Sequence, residues 1–303
     1  MHRRNLGGDW GYRDRDGGEW RTGTVPGGVY TDLLNDGVIE DPFYEDNELD
    51  VQWVGQTDWE YRRTVDVDEG FLDHDRVLLQ CDGLDTVATV LINGEAVGES
   101  INMHVGHEFD VADALVAGEN EIRVQFRSPV EYGIEQSQDY PHEVPAIRYP
   151  VDQPGRQFIR KAQCHYGWDW GPCLPTAGIY RDISLVAYSG PRIRYTTTEQ
   201  DHDGDGIDLS VRAGVDAPTA GEYDLSVTVT HSETGERVVD ATERVPLAAG
   251  EQDVETTVAV EDVDLWWPAS HGDQPLYDLD VTVGDGETHT HSDRIGFREL
   301  DLV

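Results

Sequence analysis

A dense run of aromatic and polar residues, Gln163 to Pro172, is the segment of this sequence whose side chains best suit ligand chemistry. It reads Gln-Cys-His-Tyr-Gly-Trp-Asp-Trp-Gly-Pro. Aromatic rings pack against the apolar faces of sugar rings, and a carboxylate accepts hydrogen bonds from sugar hydroxyls. Trp168 and Asp169 therefore predict a glycine-flanked loop that binds carbohydrate. The alternative is that both tryptophans of the run belong to the core and that Asp169 caps a turn.

The rest of the sequence offers no comparable catalytic or metal-binding pattern. It contains no Gly-x-Ser-x-Gly elbow, phosphate-binding loop or His-Glu-x-x-His motif, and its 61 acidic residues make any chosen carboxylate pair uninformative. The segment from Asp201 to Gly206 resembles a calcium loop but lacks the bidentate Glu, so an acidic turn between strands is predicted. The chain has three cysteines, Cys81, Cys164 and Cys173, so they cannot all form disulfides with one another. Their spacing does not match that of a zinc site. We expect no disulfide framework, metal or cofactor.

The charge of the chain is strongly negative, with 61 Asp and Glu residues against 22 Lys and Arg and a net charge of -39. The carboxylates are dispersed, and Lys161 is the single lysine. Such a surface repels itself unless salt screens it, which predicts a halophilic protein of a salt-rich cytoplasm. The alternative, an acidic patch for a cationic partner, needs clustering that the sequence lacks. Nucleic acid is an unsuitable partner because a duplex requires neutralising Lys and Arg.

Targeting and membrane signals are not apparent in the sequence. Arg3 and Arg4 could begin a twin-arginine export signal, but the next residues are polar and glycine-rich rather than apolar. The sequence contains no run of about 18 apolar residues, the length that a membrane-spanning helix needs. The sequence therefore predicts a cytoplasmic chain with no membrane partner.

Short stretches of alternating apolar and polar residues predict an all-β fold. Asn93 and Gly94 follow one such stretch and give a strong hairpin signal. Helical spacing is evident only from Val29 to Asp36. The polar stretch from Gln136 to Pro145 is predicted to be a long loop, where ligand contacts would concentrate. A solvated connection between strands is the alternative for most of this stretch. The alternating positions include Val77, Leu79, Cys81, Ala88, Val90, Ile92, Ile122, Val124 and Phe126.

The sequence divides into two predicted domains, residues 1–190 and 191–303. A new series of strands begins after Ser189-Gly190-Pro191. The first part holds more strands and longer loops, as in a jelly-roll β-sandwich. The second has strictly alternating strands at the spacing of an immunoglobulin-like β-sandwich. These strands contain Ile207, Leu209, Val211, Tyr223, Leu225, Val227, Val229, Val254, Thr256, Val258, Val260, Tyr277, Leu279, Val281 and Val283.

Several motifs along the chain resemble, in order, the β-mannosidases of glycoside hydrolase family 2. The resemblance covers nearly the whole sequence. It is carried by Val25-Pro26-Gly27-Gly28-Val29-Tyr30-Thr31-Asp32-Leu33, Asp41-Pro42-Phe43-Tyr44, Asn47, Trp59-Glu60-Tyr61, Arg160-Lys161-Ala162-Gln163, His165 to Pro172, Gly178-Ile179-Tyr180-Arg181, Leu265-Trp266-Trp267-Pro268, Gln274-Pro275-Leu276-Tyr277 and Ile295-Gly296-Phe297-Arg298.

The resemblance implies a galactose-binding-like jelly roll, then an immunoglobulin-like sandwich, then a catalytic (β/α)8 barrel. In the family the barrel supplies two glutamates for a retaining mechanism, with carboxyl groups about 5–5.5 Å apart. This sequence ends at Val303, where the barrel would begin. We therefore expect no catalytic residue in this chain and no activity alone, with the barrel supplied in cis in full-length members or in trans.

The resemblance also assigns roles in a pocket for mannose-containing oligosaccharides. Trp168 would form an apolar wall and Asp169 would accept a hydrogen bond from a sugar hydroxyl, whereas His165 and Trp170 would shape the loop. Two alternatives are a free-standing carbohydrate-binding or remnant module, and part of another family 2 exo-glycosidase such as a β-galactosidase, β-glucuronidase or exo-glucosaminidase.

Overall fold

β-Strands dominate the computed structural model, which describes residues 1–146, 149–203 and 206–300. The all-β prediction is confirmed. The described chain forms two compact units, one of residues His2–Ala187 and the other beginning at Tyr188 and including Met1.

The first unit is a jelly-roll sandwich built mainly from two sheets. One sheet has six strands in the order β3-β2-β4-β10-β7-β8, and the other has four in the order β1-β14-β5-β9. Two short pairs, β11-β12 and β13-β6, lie outside these sheets. The strands are β1 (His2–Asn5), β2 (Gly8–Asp14), β3 (Arg21–Val25), β4 (Trp59–Val67), β5 (Arg76–Cys81), β6 (Leu84–Asp85), β7 (Ala88–Ile92), β8 (Glu95–Ser100), β9 (His107–Asp110), β10 (Gly118–Phe126), β11 (Tyr166–Trp168), β12 (Gly171–Cys173), β13 (Gly178–Ile179) and β14 (Ile183–Tyr188).

The alternating apolar residues form the core of this unit, as the period-two pattern of strands requires. In β10, Ile122, Val124 and Phe126 are fully buried, and the intervening polar residues are only partly covered. Asn93 and Gly94 join β7 to β8 with φ values of 52° and 87°. Positive φ at both central positions is what a type I′ hairpin turn requires, and Asn and Gly tolerate it best.

Helices are few, as predicted, but one helix of ten residues lies outside Val29 to Asp36. Helix α1 covers Val29–Asn35, but α4 covers Pro129–Gln138 and takes up the start of the stretch predicted to be a loop. The Ser128 hydroxyl accepts a 3.0 Å hydrogen bond from the Glu131 amide, and proline suits the first helical position. The remaining short helices are α2 (Gln52–Gly55) and α3 (Glu69–Leu72), with 3-10 turns at Asn47–Leu49, Arg156–Phe158 and Gln163–His165.

The second unit is a sandwich of a three-stranded sheet, β15-β16-β19, and a four-stranded sheet, β18-β17-β20-β21. The four predicted alternating stretches lie in β16, β17, β19 and β20, and their apolar side chains form its core. The acidic turn predicted for Asp201 to Gly206 includes Gly204 and Asp205, which lie outside the described residues. The strands are β15 (Arg192–Asp203), β16 (Gly206–Ala217), β17 (Gly221–His231), β18 (Arg237–Leu247), β19 (Gly250–Val260), β20 (Tyr277–Asp285) and β21 (Glu287–Ile295).

No helix within residues 1–146, 149–203 and 206–300 combines the length and the apolar character needed to cross a membrane.

Candidate functional site

The predicted sugar-binding segment forms a tight β-hairpin. Strands β11 and β12 are antiparallel, and Trp168 pairs with Gly171, so that only Asp169 and Trp170 form the turn. Trp170 is 70% exposed, Trp168 is 39% exposed, and Asp169 is also exposed. The alternative that both tryptophans belong to the core is therefore wrong.

Gly167 allows the hairpin to sit close to its neighbours. Its φ is +76°, a conformation that side chains other than glycine rarely adopt. A Cβ atom here would lie 2.5 Å from Pro150 Cδ and 3.0 Å from the Cys173 backbone nitrogen. Substitution at this position would thus displace the strand that carries Trp168.

Side chains from the segment before β4 hold strand β12 through the backbone of Cys173. The Cys173 amide donates a 3.0 Å hydrogen bond to Glu48 Oε2, and its carbonyl accepts a 2.8 Å bond from Gln52 Nε2. Gln52 Oε1 in turn accepts a 3.0 Å bond from Gln153 Nε2. Because these bonds fix both polar groups of one residue, β12 is held next to the sandwich rather than projecting freely.

Strand β11 is held by a buried arginine. Arg156 Nη1 donates a 3.2 Å hydrogen bond to the Tyr166 carbonyl, and its guanidinium lies 5.4 Å from the centre of the Tyr166 ring. Gln163 Nε2 donates a 2.8 Å bond to the Arg156 carbonyl. Both strands of the hairpin are therefore supported by side chains outside it.

One cavity lies beside the hairpin, and a second adjoins the first. The first has a volume of about 420 Å³, and its lining includes Trp168, Trp170, Cys164, Arg156 and Gln157. The second, of about 390 Å³, is lined in part by Ser137 and residues 142–146, and it shares Pro145, Ala146 and Gln157 with the first. The size of the first cavity is within the range of small-ligand sites, and its aromatic and polar lining suits a sugar.

Asp169 lies at the tip of the hairpin and is not part of the lining of either cavity. Within the described part of the chain, its carboxylate has no hydrogen-bond or ion-pair partner. The structure thus places Trp168 and Trp170 at the cavity wall and leaves Asp169 with its acceptor positions open.

A buried ion pair beneath the hairpin was not found by sequence reasoning. The Lys161 ammonium contacts the Asp85 carboxylate, and both side chains are almost completely buried. Lys161 Nζ also donates a 2.8 Å hydrogen bond to the Thr176 carbonyl, and the Thr86 hydroxyl donates to Asp85. The one signal for this pair was that Lys161 is the only lysine of the chain.

His165, predicted to shape the loop, is near this pair rather than at the hairpin tip. Its Nδ1 lies 3.4 Å from Asp85 Oδ2. Burial opposes ionisation of Asp85, but the charge of Lys161 and the hydrogen bonds to the carboxylate outweigh it and hold the pKa of Asp85 below its usual range. Asp85 is therefore an anion at neutral pH inside the protein.

The described residues contain no group of three or more His, Cys, Asp or Glu side chains arranged to hold a metal ion.

The chain matches two families of glycosyl hydrolase domains. Residues 10–181 match the family described as "Glycosyl hydrolase 2 galactose-binding domain-like", and residues 192–298 match "Glycosyl hydrolases family 2". These matches cover the first and the second unit in turn.

Proteins similar to this chain include named β-mannosidases. The chain is 30% identical to the β-mannosidase of Mus musculus over 99% of its own length and 35% of the relative's. It is 34% identical to β-mannosidase B of Thermothelomyces thermophilus, over 97% of the chain and 34% of the relative. The chain thus spans about a third of the length of these relatives.

Solved structures agree with these relatives. The β-D-mannosidase of Dictyoglomus thermophilum matches with a TM-score of 0.92 and 31% identity, over 100% of this chain and 37% of that one. An exo-chitosanase of Amycolatopsis orientalis matches with a TM-score of 0.66 and 21% identity over 98% of this chain and 34% of that one, which shows the fold alone. The chain belongs to glycoside hydrolase family 2, its two units are the galactose-binding-like and immunoglobulin-like domains of that family, and it is similar to β-mannosidases over about a third of their length.

Proposed function

We propose that this chain forms the sugar-recognition part of a retaining β-mannosidase that releases terminal β-D-mannose from oligosaccharides. In this proposal Trp168 is an apolar wall for the terminal sugar, and Asp169 accepts a hydrogen bond from one of its hydroxyls. The catalytic glutamates belong to a (β/α)8 barrel that the chain meets in cis or in trans. The chain itself supplies no catalytic group.

The observation that carries the proposal is the exposed but firmly held Trp168-Asp169 pair. Large aromatic groups in solvent at the rim of a cavity are typical of binding sites, where a ligand or partner covers them. A carboxylate with open acceptor positions suits a sugar, which offers several hydroxyl donors. Because Asp169 is outside the lining of both cavities, a wall from another domain would be needed to enclose a sugar that contacts it.

A carbohydrate-binding module without chemistry is the second candidate. It is favoured by the cavity of about 420 Å³, which is lined by residues of this chain alone and includes two tryptophans. Under this alternative the isolated chain would bind mannosides by itself, and no barrel would be required.

A chimeric enzyme tests the main proposal. The chain would replace the matching third of the Dictyoglomus thermophilum β-mannosidase, with which it shares 31% identity. We expect the chimera to hydrolyse an aryl β-mannoside and to prefer it to the corresponding β-galactoside, β-glucuronide and β-glucosaminide. A preference for one of those three glycosides would mean that the site belongs to another family 2 activity.

Asp169→Asn in the chimera tests the role of the carboxylate. Loss of a charged hydrogen bond that strengthens towards the transition state should lower kcat/KM for the mannoside about 10-fold or more. Asp113→Asn is the matched control, because Asp113 is also an exposed turn carboxylate of the first unit. An unchanged rate for Asp169→Asn would reject the assigned role.

The isolated chain distinguishes the two candidates. We expect no hydrolysis of an aryl β-mannoside above background. We also expect no saturable change in tryptophan fluorescence with mannose or mannobiose, because the sugar pocket is incomplete. Saturable binding that Trp168→Ala abolishes would favour the binding-module alternative.

A further inference from the structure

The two ends of the segment that carries the hairpin meet at a single ammonium group. Lys161 begins this segment and Thr176 ends it. Lys161 Nζ donates a 2.8 Å hydrogen bond to the Thr176 carbonyl and contacts the Asp85 carboxylate of β6 at the same time. One side chain therefore joins the two ends of residues 161–176, which form the base of this segment. The same side chain links that base to Asp85 in β6.

The anchor for this ammonium is held within the sandwich. Asp85 pairs with Gly178 in the short antiparallel β6-β13 ladder, and the neighbouring Leu84 and Ile179 are fully buried. The Thr86 hydroxyl donates to the same carboxylate. A displacement of Asp85 would require this buried ladder to move.

An amine suits this position better than the guanidinium used elsewhere in the chain. Lys161 is the single lysine among the 22 basic residues, and the others are all arginines. The ammonium is compact and directs donors to two acceptors in different directions, whereas the guanidinium is a larger planar fork. The lysine side chain has no solvent exposure, which leaves little room for a larger group.

We propose that Lys161 and Asp85 are positioning residues for the Trp168-Asp169 turn. They do not touch the sugar. The pair closes the base of residues 161–176, and this holds the turn at the orientation in which Trp168 and Asp169 meet their ligand. The sugar-binding consequence rests on the proposed function, but the closure of the base does not.

Hydrogen exchange measured by mass spectrometry on the isolated chain tests the closure. In Lys161→Met and Asp85→Asn we expect amides of residues 161–176 to exchange about 10-fold faster or more, with amides of β4 and β10 changed less than about twofold. Glu60→Gln is the matched control. Glu60 is also a buried carboxylate with ion pairs, to Arg13 and Arg123, but it lies on β4. Equal exchange in variant and wild type, or a uniform increase across the unit, would overturn the proposal.

Amine labelling of the unmodified chain provides a test that needs no variant. Lys161 and the Met1 amino group are the only amines, and Lys161 is buried. We expect acetylation of Lys161 to require opening of residues 161–176 and to follow the same denaturant dependence as amide exchange in that segment. Rapid acetylation in the absence of denaturant, with β10 still protected, would show that the base opens independently and would overturn the proposal.

The chimera described above tests the functional consequence. We expect Lys161→Met to lower kcat/KM for the aryl β-mannoside about 10-fold, and Lys161→Arg to lower it as well, because the buried position leaves little room for the larger guanidinium. If Lys161 acts through the turn, Lys161→Met should cost little more when Asp169→Asn is already present. If the losses in kcat/KM from Lys161→Met and Asp169→Asn multiply in full, Lys161 does not act through the turn. If the wild-type chimera is inactive, the proposed function fails, while exchange and acetylation still decide the closure.

Discussion

The hydroxyl of Tyr61 donates a 2.7 Å hydrogen bond to the buried carboxylate of Asp32. Strand β4 and helix α1 thus share a polar contact inside the first unit. The other carboxylate oxygen accepts a 3.0 Å bond from the Thr24 amide. Burial raises the pKa of Asp32, and the two donors partly offset that effect.

Tyr61→Phe should destabilise the first unit, because it leaves one oxygen of Asp32 buried without a donor. We expect a loss of about 1–3 kcal/mol in the free energy of unfolding, measured by urea denaturation. Tyr195→Phe is the matched control, since the Tyr195 hydroxyl donates a 2.6 Å bond to Asp253 at an exposed position of the second unit. The control should lose less than about 0.5 kcal/mol, and equal losses would contradict this account.

Asp169→Ala should leave the isolated chain almost as stable as before. An exposed carboxylate without a partner contributes less than about 0.5 kcal/mol to stability. Glu60→Gln should behave differently, because its buried carboxylate is paired with Arg13 and Arg123; a loss on the order of 2 kcal/mol is expected. Thermal and urea unfolding would measure both. A strongly destabilised Asp169→Ala chain would mean that the residue is structural.

The unfolding temperature should rise with ionic strength. Ion pairs such as those of Arg244 with Asp224 and Asp285 are exposed, and salt weakens them. The 61 acidic and 22 basic residues nevertheless leave 39 carboxylates in excess, so relief of repulsion should dominate. Circular dichroism from millimolar to molar KCl would follow the change, with sucrose as a control for non-ionic effects. An unfolding temperature independent of KCl would reject the halophilic interpretation.

Stability of the second unit should fall as the pH is lowered from about 6.5 to about 4. Burial, reinforced by the nearby Arg192 charge, lowers the pKa of His289 from 6.5 to about 4. In this window the unfolded chain binds the proton and the folded chain does not, so acid favours unfolding. The loss should be roughly 1–2 kcal/mol, allowing for solvent around part of the ring.

His289→Gln tests this assignment, because glutamine can also accept the 3.2 Å hydrogen bond from the Ile193 amide. The variant should show a flatter dependence of unfolding free energy on pH between about 4 and 6.5. His271→Gln, which alters an exposed histidine of the same unit, serves as the control. The same slope in wild type and His289→Gln would exclude His289 as the titrating group.

Local patterns were sufficient to predict most strands, because alternation and turn chemistry act over a few residues. Asn93 and Gly94 adopt the backbone angles that their residue types predict. Helix α4 had an equally local signal, with Ser128, Pro129 and Glu131 at its start, but only its last three residues, Gln136–Gln138, fall in the stretch predicted to be a loop. For this helix the capping residues mark the start more clearly than hydrophobic periodicity does.

The candidate site was only partly predictable, because its support is non-local. The aromatic run predicted a glycine-flanked loop, and the exposure of Trp168 and Trp170 agrees with that position. The base of that hairpin depends on Asp85 and Lys161, which are 76 positions apart in the sequence. No local pattern predicts such a pair. A lone lysine in an arginine-rich set marks an unusual environment, but it does not identify the partner.

One of the three cysteines, Cys164, lies next to the hairpin and is accessible for attaching a reporter group. All are free, and only Cys164 is exposed. Burial raises the pKa of Cys173 to about 12, and burial likewise raises the pKa of Cys81, so neither forms the reactive thiolate readily. Cys164 shares the cavity lining with Trp168 and Trp170. A maleimide dye would therefore attach to the unmodified chain at one place, within quenching range of the tryptophans that are proposed to meet the sugar.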